Sequence, residues 1–361
     1  MAPAPGTRIV VGMSGGVDSS LAAALLKDQG YDVIGVMLRL WSDPGTLNRC
    51  CAPDAVVEAR QVAGQLGIPF YVMDAKEAFY EAVVEPFLKD YREGLTPNPC
   101  LRCNLLIRWK FLLARAKALG AEGIATGHYA RIQKIPNGEV QLLRNHDTEK
   151  DQSYFLHVLT QQELQRTLFP LAELTKTQVR QLAGELGLSA ADRPDSQDLC
   201  FVGQGGDYRE FLRREDPGSQ LPGPIQDLEG NKLGEHSGLA DFTIGQRKGL
   251  GISGKEPYYV VQKDPDRNTL VIGFKDQLGR SEFATRTVNW ISGKAPDRST
   301  RVQIKIRYQS RPVPGWVTPL DDGGAGVQLD EVLPDITPGQ AAVFYQDDLC
   351  LGGGIIRPEK L

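Results

Sequence analysis

A chain of 361 residues, 41% hydrophobic and 24% charged, is too long for one ordinary core and has the composition of a soluble globular protein, so two or three domains are expected. No apolar run approaches the roughly 20 residues of a membrane span, and Met1 to Thr7 carries no apolar signal region, which makes the cytoplasm the expected location and excludes a membrane partner. The net charge of −4 speaks against a uniformly basic nucleic-acid surface, yet the charge is unevenly spread. Arg286 to Arg311 holds seven basic residues and one acidic, Arg102 to Lys117 five basic and none acidic, and Asp321 to Asp348 seven acidic and none basic. The two basic stretches together can form a phosphate-binding track.

In chain order, Arg8 to Gly12 reads as a short apolar strand, followed by a turn and the helical run Leu21, Ala22, Leu25, Leu26. Tyr31 to Leu40 and Pro69 to Met73 read as strands around a helix over Val56 to Leu66. A helix over Leu105 to Leu119 leads into a strand at Gly123 to Thr126. This βαβ rhythm predicts an α/β domain with a doubly wound parallel sheet, whose ligands gather at the carboxyl ends of the strands. After about Cys200, glycine and proline become frequent, and Arg301 to Tyr308 alternates with period two. The chain therefore divides into an α/β domain (1–204), a small β-rich connecting domain (205–280) and a C-terminal β-barrel (281–361).

Ser14-Gly15-Gly16-Val17-Asp18-Ser19-Ser20 lies between the first strand and the first helix. Paired glycines admit an anion close to the backbone, and the helix start supplies N–H groups and a favourable dipole. Ser14, Ser19 and Ser20 offer hydroxyls, and Asp18 is placed to hold the Mg2+ that accompanies a pyrophosphate. No GxxxxGK[ST] motif occurs, so pyrophosphate is expected as a leaving group, the mark of adenylylation rather than γ-phosphoryl transfer. The string resembles the PP-loop of ATP pyrophosphatases.

Six cysteines are too few for a disulfide scaffold. Cys100 and Cys103 form a CxxC behind Thr96-Pro97-Asn98-Pro99, whose prolines stiffen the turn. A helix start and Arg102 favour the Cys103 thiolate. Cys200 follows Asp195-Ser196-Gln197-Asp198-Leu199; Cys50 and Cys51 are adjacent and without an evident partner; Cys350 reads as a core residue. Three arrangements stay open for Cys100, Cys103 and Cys200: an accident of packing, a metal or [4Fe-4S] site, or a relay in which one thiol carries a persulfide and another releases it.

Taken together, the chain resembles the tRNA-specific 2-thiouridylases over essentially its full length. The resemblance is carried by Gly12 to Ser19, Thr96 to Pro99, Cys103-Asn104, Ala125 to Arg131, Lys150 to Leu156, Asp195 to Phe201, Gly245 to Gly251 and Thr337 to Gln340. It implies a PP-loop, adenine-nucleotide-hydrolase-like fold and 2-thiolation of the wobble uridine of tRNA. The implied ATP site comprises Gly12, Met13, Ser14, Gly15, Gly16, Val17, Asp18, Ser19, Leu38 and Gly127. Cys200 takes the persulfide role and Cys103 that of the nucleophile. Asn98, Pro99 and Cys100 surround the target base, and Lys150, Asp151, Gln152, Arg307 and Tyr308 touch tRNA, with His128 and Gln340 helping to select it. A sulfur-donor protein is the other implied partner. Many members have an aspartate where this chain has Cys100, and that substitution completes a three-cysteine set able to ligate an iron–sulfur cluster.

Other readings compete. His146, His157 and His236 lack metal-ligand spacing and read as ordinary histidines. Asp151 either contacts RNA or caps the next helix, and Arg301, Lys305 and Arg307 either bind RNA or form a solvated face. An amidating PP-loop synthetase needs no paired thiols, and a zinc-holding RNA-binding module releases no AMP.

Overall fold

The apolar run Ile9-Val10-Val11 sends Ile9 and Val11 to one apolar cluster and Val10 to another, so its strand is buried on both faces. Such a strand belongs at the centre of a parallel sheet covered by helices. The computed structural model, which describes residues 4–41, 53–194, 199–202 and 206–358, places Arg8–Gly12 in that position. It pairs in parallel with Asp32–Arg39 on one side and Gly123–Thr126 on the other. Phe70–Asp74 and Thr167–Leu168 complete a five-stranded sheet as its outer members. The chain winds outward from the first strand and then returns to its opposite side at Gly123, so a switch point lies between those two strands. Brändén's rule places a ligand crevice there, beyond their carboxyl ends.

The helix Val17–Asp28 packs through small residues, with Ala22, Ala23 and Ser20 fully buried. Pro53–Leu66 follows the segment 42–52, in which Cys50, Cys51 and the expected loop from Ser42 to Ala52 lie outside the described residues. The basic helix starts earlier than the periodicity predicts, at Pro99, and runs to Ala118 with π-helical turns over Cys103–Phe111. Wide turns of that kind recur at functional sites.

The connecting domain is a four-stranded sheet of Tyr259–Asp264, Thr269–Gly273, Gly223–Gln226 and Lys232–His236 around Ile225, Val260, Leu270 and Ile272. The C-terminal sheet is antiparallel and nine-stranded, around Val302, Ile304, Val317, Val327 and Phe344. Two of its strands, Arg131–Lys134 and Val140–Leu143, come from the first 204 residues as a hairpin that pairs with Leu349–Ile355. Arg131 pins that hairpin by bonding the Arg144 carbonyl and Asp348, each at 2.7 Å. Among the described residues, no helix is long and apolar enough to cross a membrane.

The alternation over the strand Thr300–Lys305 holds, with Val302 and Ile304 buried and Arg301 and Gln303 exposed. Its cations are not a bare track, however. Arg301 forks onto Asp330, Arg311 bonds Glu331 at 2.7 Å, and Arg307 lies 3.6 Å from Asp335. The acidic stretch of the sequence thus neutralises much of the basic one.

Candidate nucleotide and thiol site

The turn after the first strand is built by its own side chains. Ser14 N–H donates to Ser19 Oγ at 3.1 Å, and the Ser19 and Ser20 hydroxyls donate to the Gly16 carbonyl at 3.1 and 2.9 Å. Two of the three hydroxyls expected to face a ligand therefore shape the loop. Gly15 has φ +75°, and a Cβ there would sit 2.6 Å from the Ala55 carbonyl oxygen. Gly16 is the N-cap of Val17–Asp28, and among the described residues no side chain caps that end, which leaves its N–H groups to an anion. Met13 is buried and its N–H donates to Val36 O at 2.8 Å; Leu38 lies at the carboxyl end of the neighbouring strand, opposite Met73.

Gly127 follows the strand on the other side of the switch point. A Cβ on it would fall 2.6 Å from the Asp18 carbonyl carbon and 2.7 Å from Ser19 N, so the two loops touch backbone to backbone. Two residues on, the Tyr129 hydroxyl donates to Asp18 Oδ1 at 2.6 Å. Lys176 Nζ donates to both Asp18 carboxylate oxygens, at 2.7 and 2.8 Å. Arg193 reaches the Gly15 carbonyl at 3.3 Å. The loop that lacks a Walker lysine thus receives a lysine and an arginine from chain far downstream.

Sequence reasoning missed Lys176, although a signal was present. Thr175 and Gln178 form a capping box that marks a helix start. A lysine in the first turn of a helix opposes the dipole and needs a nearby anion, and Asp18 is that anion.

Cys100 is half-buried at the second position of the helix begun by Pro99, and its N–H donates to Asn98 Oδ1 at 3.2 Å. Cys103 is buried one turn further on, where the π-helical stretch begins, so Cys100 rather than Cys103 is nearer the helix start. Cys200 is half-buried and packs against the apolar cluster that contains Cys103. Its neighbour Phe201 is fixed there by Phe211, Phe87 and Phe79, with centroids at 5.0, 5.1 and 5.9 Å. Two thiols from distant segments are thereby brought to one aromatic wall, while Asp195 to Asp198 lie outside the described residues. Among the described residues no group of three or more His, Cys, Asp or Glu side chains is placed to hold a metal ion. Cys350 is fully buried, and that burial pushes its thiol well above the ordinary range, as a core residue requires.

The residues expected to face RNA separate into two groups. Asp151 and Tyr308 line one cleft of about 470 Å³ with Arg144, Lys305 and Arg311. Arg144 lies 4.0 Å over the Tyr345 ring, and its buried Nε and Nη2 have no hydrogen-bond partner among the described residues. Burial lowers the Lys305 pKa although Asp151 is close by. Asp151 itself is 5% exposed and caps the next helix, accepting from Ser153 N–H at 3.1 Å and from Ser153 Oγ at 2.8 Å. Lys150 N–H donates to Asp147. Gln152 exchanges hydrogen bonds with the Tyr129 backbone at 2.8 and 3.0 Å, which ties this stretch to the nucleotide loop.

The other group faces inward. His128 is 8% exposed and packs tilted against Trp109 and edge-on to Phe169, with Thr126 Oγ1 2.8 Å from its Nδ1. Burial, with Arg108 nearby, lowers its pKa to about 3, so the ring is neutral at physiological pH. Arg307 Nη2 donates to Thr337 Oγ1, and Gln340 Nε2 donates to the Thr96 carbonyl at 2.8 Å. Of the remaining histidines, His146 pairs with Glu173 at 2.7 Å on the surface, while His157 and His236 are buried against backbone carbonyls.

Residues 7–204 match a family model described as a tRNA methyl transferase HUP domain. Residues 209–274 match a tRNA methyl transferase PRC-barrel domain, and residues 280–356 an aminomethyltransferase beta-barrel domain. The chain is 49% identical over 356 residues to the tRNA-specific 2-thiouridylase MnmA of Chloroflexus aggregans, covering 98% of this chain and 99% of that one. The protein of the same name from Roseiflexus castenholzii is 47% identical over 367 residues, covering 97% and 99%. That from Natranaerobius thermophilus is 46% identical over 358 residues, covering 97% of each.

Proposed function

We infer that this chain, which belongs to the family of tRNA-specific 2-thiouridylases, catalyses ATP-dependent 2-thiolation of the wobble uridine, position 34, of tRNA. The observation that carries the reading is the pairing of a glycine-rich anion turn at a sheet switch point with two thiols, Cys103 and Cys200, on one apolar wall.

The uridine O2 attacks the α-phosphorus of ATP and pyrophosphate leaves, which turns a poor leaving group into AMP. Gly12 to Ser19 and Gly127 enclose the nucleotide, Leu38 borders the adenine, and Lys176 bears on the phosphates. Asp18 is the carboxylate that would hold Mg2+, which supplies charge neutralisation for the departing pyrophosphate. The target base must leave its stack to reach the thiols, and Asn98, Pro99 and Cys100 surround it. A donor protein loads Cys200 as a persulfide. Its outer sulfur attacks C2 and AMP departs with the former O2. Cys103 thiolate then attacks Cys200 Sγ, the S–S bond breaks toward the sulfur on C2, and a Cys103–Cys200 disulfide forms. A dithiol reductant restores both thiols.

The cleft over Arg144, Lys305 and Tyr308 is suited to the RNA backbone, with Lys150, Asp151 and Gln152 at its edge. Purified protein, ATP, a persulfide donor and unmodified tRNA should yield 2-thiouridine and AMP in equal amounts; thiolation without ATP would refute the reading. Gly127→Ala should weaken ATP binding on the order of tenfold or more, because the added methyl forces the two loops apart. Equilibrium dialysis with labelled ATP checks this, and an unchanged affinity would show that Gly127 does not border the nucleotide.

A further inference from the structure

The helix that backs the thiol wall leaves one face uncovered. Lys76–Phe79, Tyr80–Val84 and Glu85–Arg92 run on as one helix with a π-helical turn in its middle. Phe79, Val83 and Phe87 lie buried in the cluster that holds Cys103 and against which Cys200 packs. Glu77, Tyr80, Glu81 and Glu85 are all exposed, at the three- and four-residue spacings that share a helix face. Tyr80 is 40% exposed, and its ring stacks on that of Trp41, with centroids 6.2 Å apart and planes 8° apart. Trp41 in turn meets Phe201 edge-on at 6.4 Å, and the residue before Phe201 is the half-buried Cys200. An aromatic path therefore leads from the surface at Tyr80 to the thiol expected to carry sulfur.

The face is acidic because the cations of the same helix are engaged elsewhere. Lys76 pairs with Asp74 at 3.4 Å, Lys89 with Glu93 at 3.9 Å and Arg92 with Asp216 at 2.5 Å. Among the described residues none of Glu77, Glu81 and Glu85 has an ion-pair partner. Such a face repels a phosphate backbone, whereas a protein that presents basic residues complements it. An exposed tyrosine within a polar surround is also the kind of side chain that anchors protein recognition. The helix is tied to the CxxC as well, since Arg102 Nε donates to the Ala82 carbonyl at 2.8 Å. The face therefore holds a fixed place relative to the thiols.

We propose that the face around Tyr80, Glu77 and Glu81 docks the sulfur-donor protein, a partner that carries a cysteine persulfide beside a basic surface. The proposal rests on the thiolation reading and deepens it by giving the donor a place to bind. Tyr80 anchors the donor and the two glutamates meet its cations. The Cys200 thiolate then attacks the outer sulfur of the donor persulfide. The donor S–S bond breaks and its cysteine leaves as a thiolate, so Cys200 holds the persulfide and no net oxidation or reduction occurs. RNA, repelled by the same charges, approaches from elsewhere.

The test uses full-length protein with Tyr80→Ala, and separately with Glu77→Lys and Glu81→Lys combined, and two ³⁵S donors of different size. One donor is a cysteine desulfurase charged from ³⁵S-cysteine; the other is free cysteine persulfide. Transfer of label from the desulfurase to Cys200 should slow on the order of tenfold in each variant, as loss of an anchor or reversal of a complementary charge does. The effect of charge reversal should shrink at high salt. Labelling by cysteine persulfide and the tRNA Kd should each stay within about twofold, the usual range for surface substitutions that a ligand does not meet. Equal slowing with both donors would overturn the proposal by showing that the variants disturb Cys200 itself. Unchanged labelling by both donors would overturn it as well, and a tenfold weaker tRNA affinity would make the face an RNA contact instead. Self-association of the wild type that Tyr80→Ala abolishes would assign the face to a second copy. Wild-type protein whose Cys200 takes label from neither donor refutes the persulfide reading itself, which these variants do not address.

Discussion

Cys200→Ser and Cys103→Ser should each abolish 2-thiouridine formation, by a factor on the order of a thousand or more, as removal of a covalent nucleophile does, while tRNA-dependent pyrophosphate release continues. A serine hydroxyl can neither carry a sulfane sulfur nor attack the S–S bond to form a disulfide, so neither half of the relay survives. The two variants should stall differently. Cys200→Ser receives no sulfur from the donor, whereas Cys103→Ser accepts it and retains it as a persulfide or a tRNA adduct. Labelled sulfur on gels separates those states. Full activity in both variants would instead support an amidating or other thiol-independent PP-loop chemistry. Cys100→Ser discriminates further. A relay through Cys200 and Cys103 tolerates it within about fivefold, because Cys100 is then only a neighbour of the base that contributes roughly one contact. A cluster-dependent enzyme would lose iron, visible absorption and activity together. Protein purified without oxygen provides the sample for both comparisons.

The second large effect is expected at Lys176. Lys176→Met should slow tRNA-dependent pyrophosphate release by about 10² to 10³, the usual result of removing a preorganised charge from a developing anion. Tertiary structure should survive, since Lys176 is the first residue of its helix and the Thr175–Gln178 capping box remains. The partner variant Asp18→Asn removes the carboxylate that holds Lys176 at 2.7 and 2.8 Å. It should also slow the step, and the double variant should be no worse than the poorer single one, because the two act as a unit. Rapid-quench measurement of pyrophosphate provides the readout. Rates of the single variants near wild type would show that the Asp18–Lys176 pair only staples the helix to the loop.

Much of the architecture is legible from the chain because its signals are local. The apolar run Ile9-Val10-Val11, the Gly15-Gly16 pair and the Gly123 to Gly127 string each declare a strand or a turn without reference to distant residues. Their neighbours across the switch point follow from the winding rule rather than from any pairing signal. What the sequence conceals are contacts between segments far apart in it. Nothing local predicts that Arg131 to Leu143 leaves the first domain to extend the C-terminal sheet. The same holds for Thr96 and Gln340, two polar residues whose backbone and side-chain bonds form only across a domain junction. The charge runs were legible individually but not as a set. Arg301, Lys305 and Arg307 read either as an RNA-binding or as a solvated face, and nothing local announces that Asp330 and Asp335 lie beside Arg301 and Arg307. Arg144 was missed altogether, because a single arginine after a short strand has no pattern. Its buried guanidinium is meaningful only once Tyr345 lies beneath it.

Activation of the uridine oxygen as an adenylate is the central step of the proposed reaction, and an isotope in that oxygen tests it most directly. A tRNA carrying ¹⁸O at C2 of the target uridine would be turned over once with ATP, a persulfide donor and this protein, and the AMP examined by mass spectrometry. The label should appear in the AMP phosphate, one atom for each 2-thiouridine formed. Thiolated tRNA accompanied by unlabelled AMP would contradict it, since the uridine oxygen would then have left by a route that does not pass through ATP.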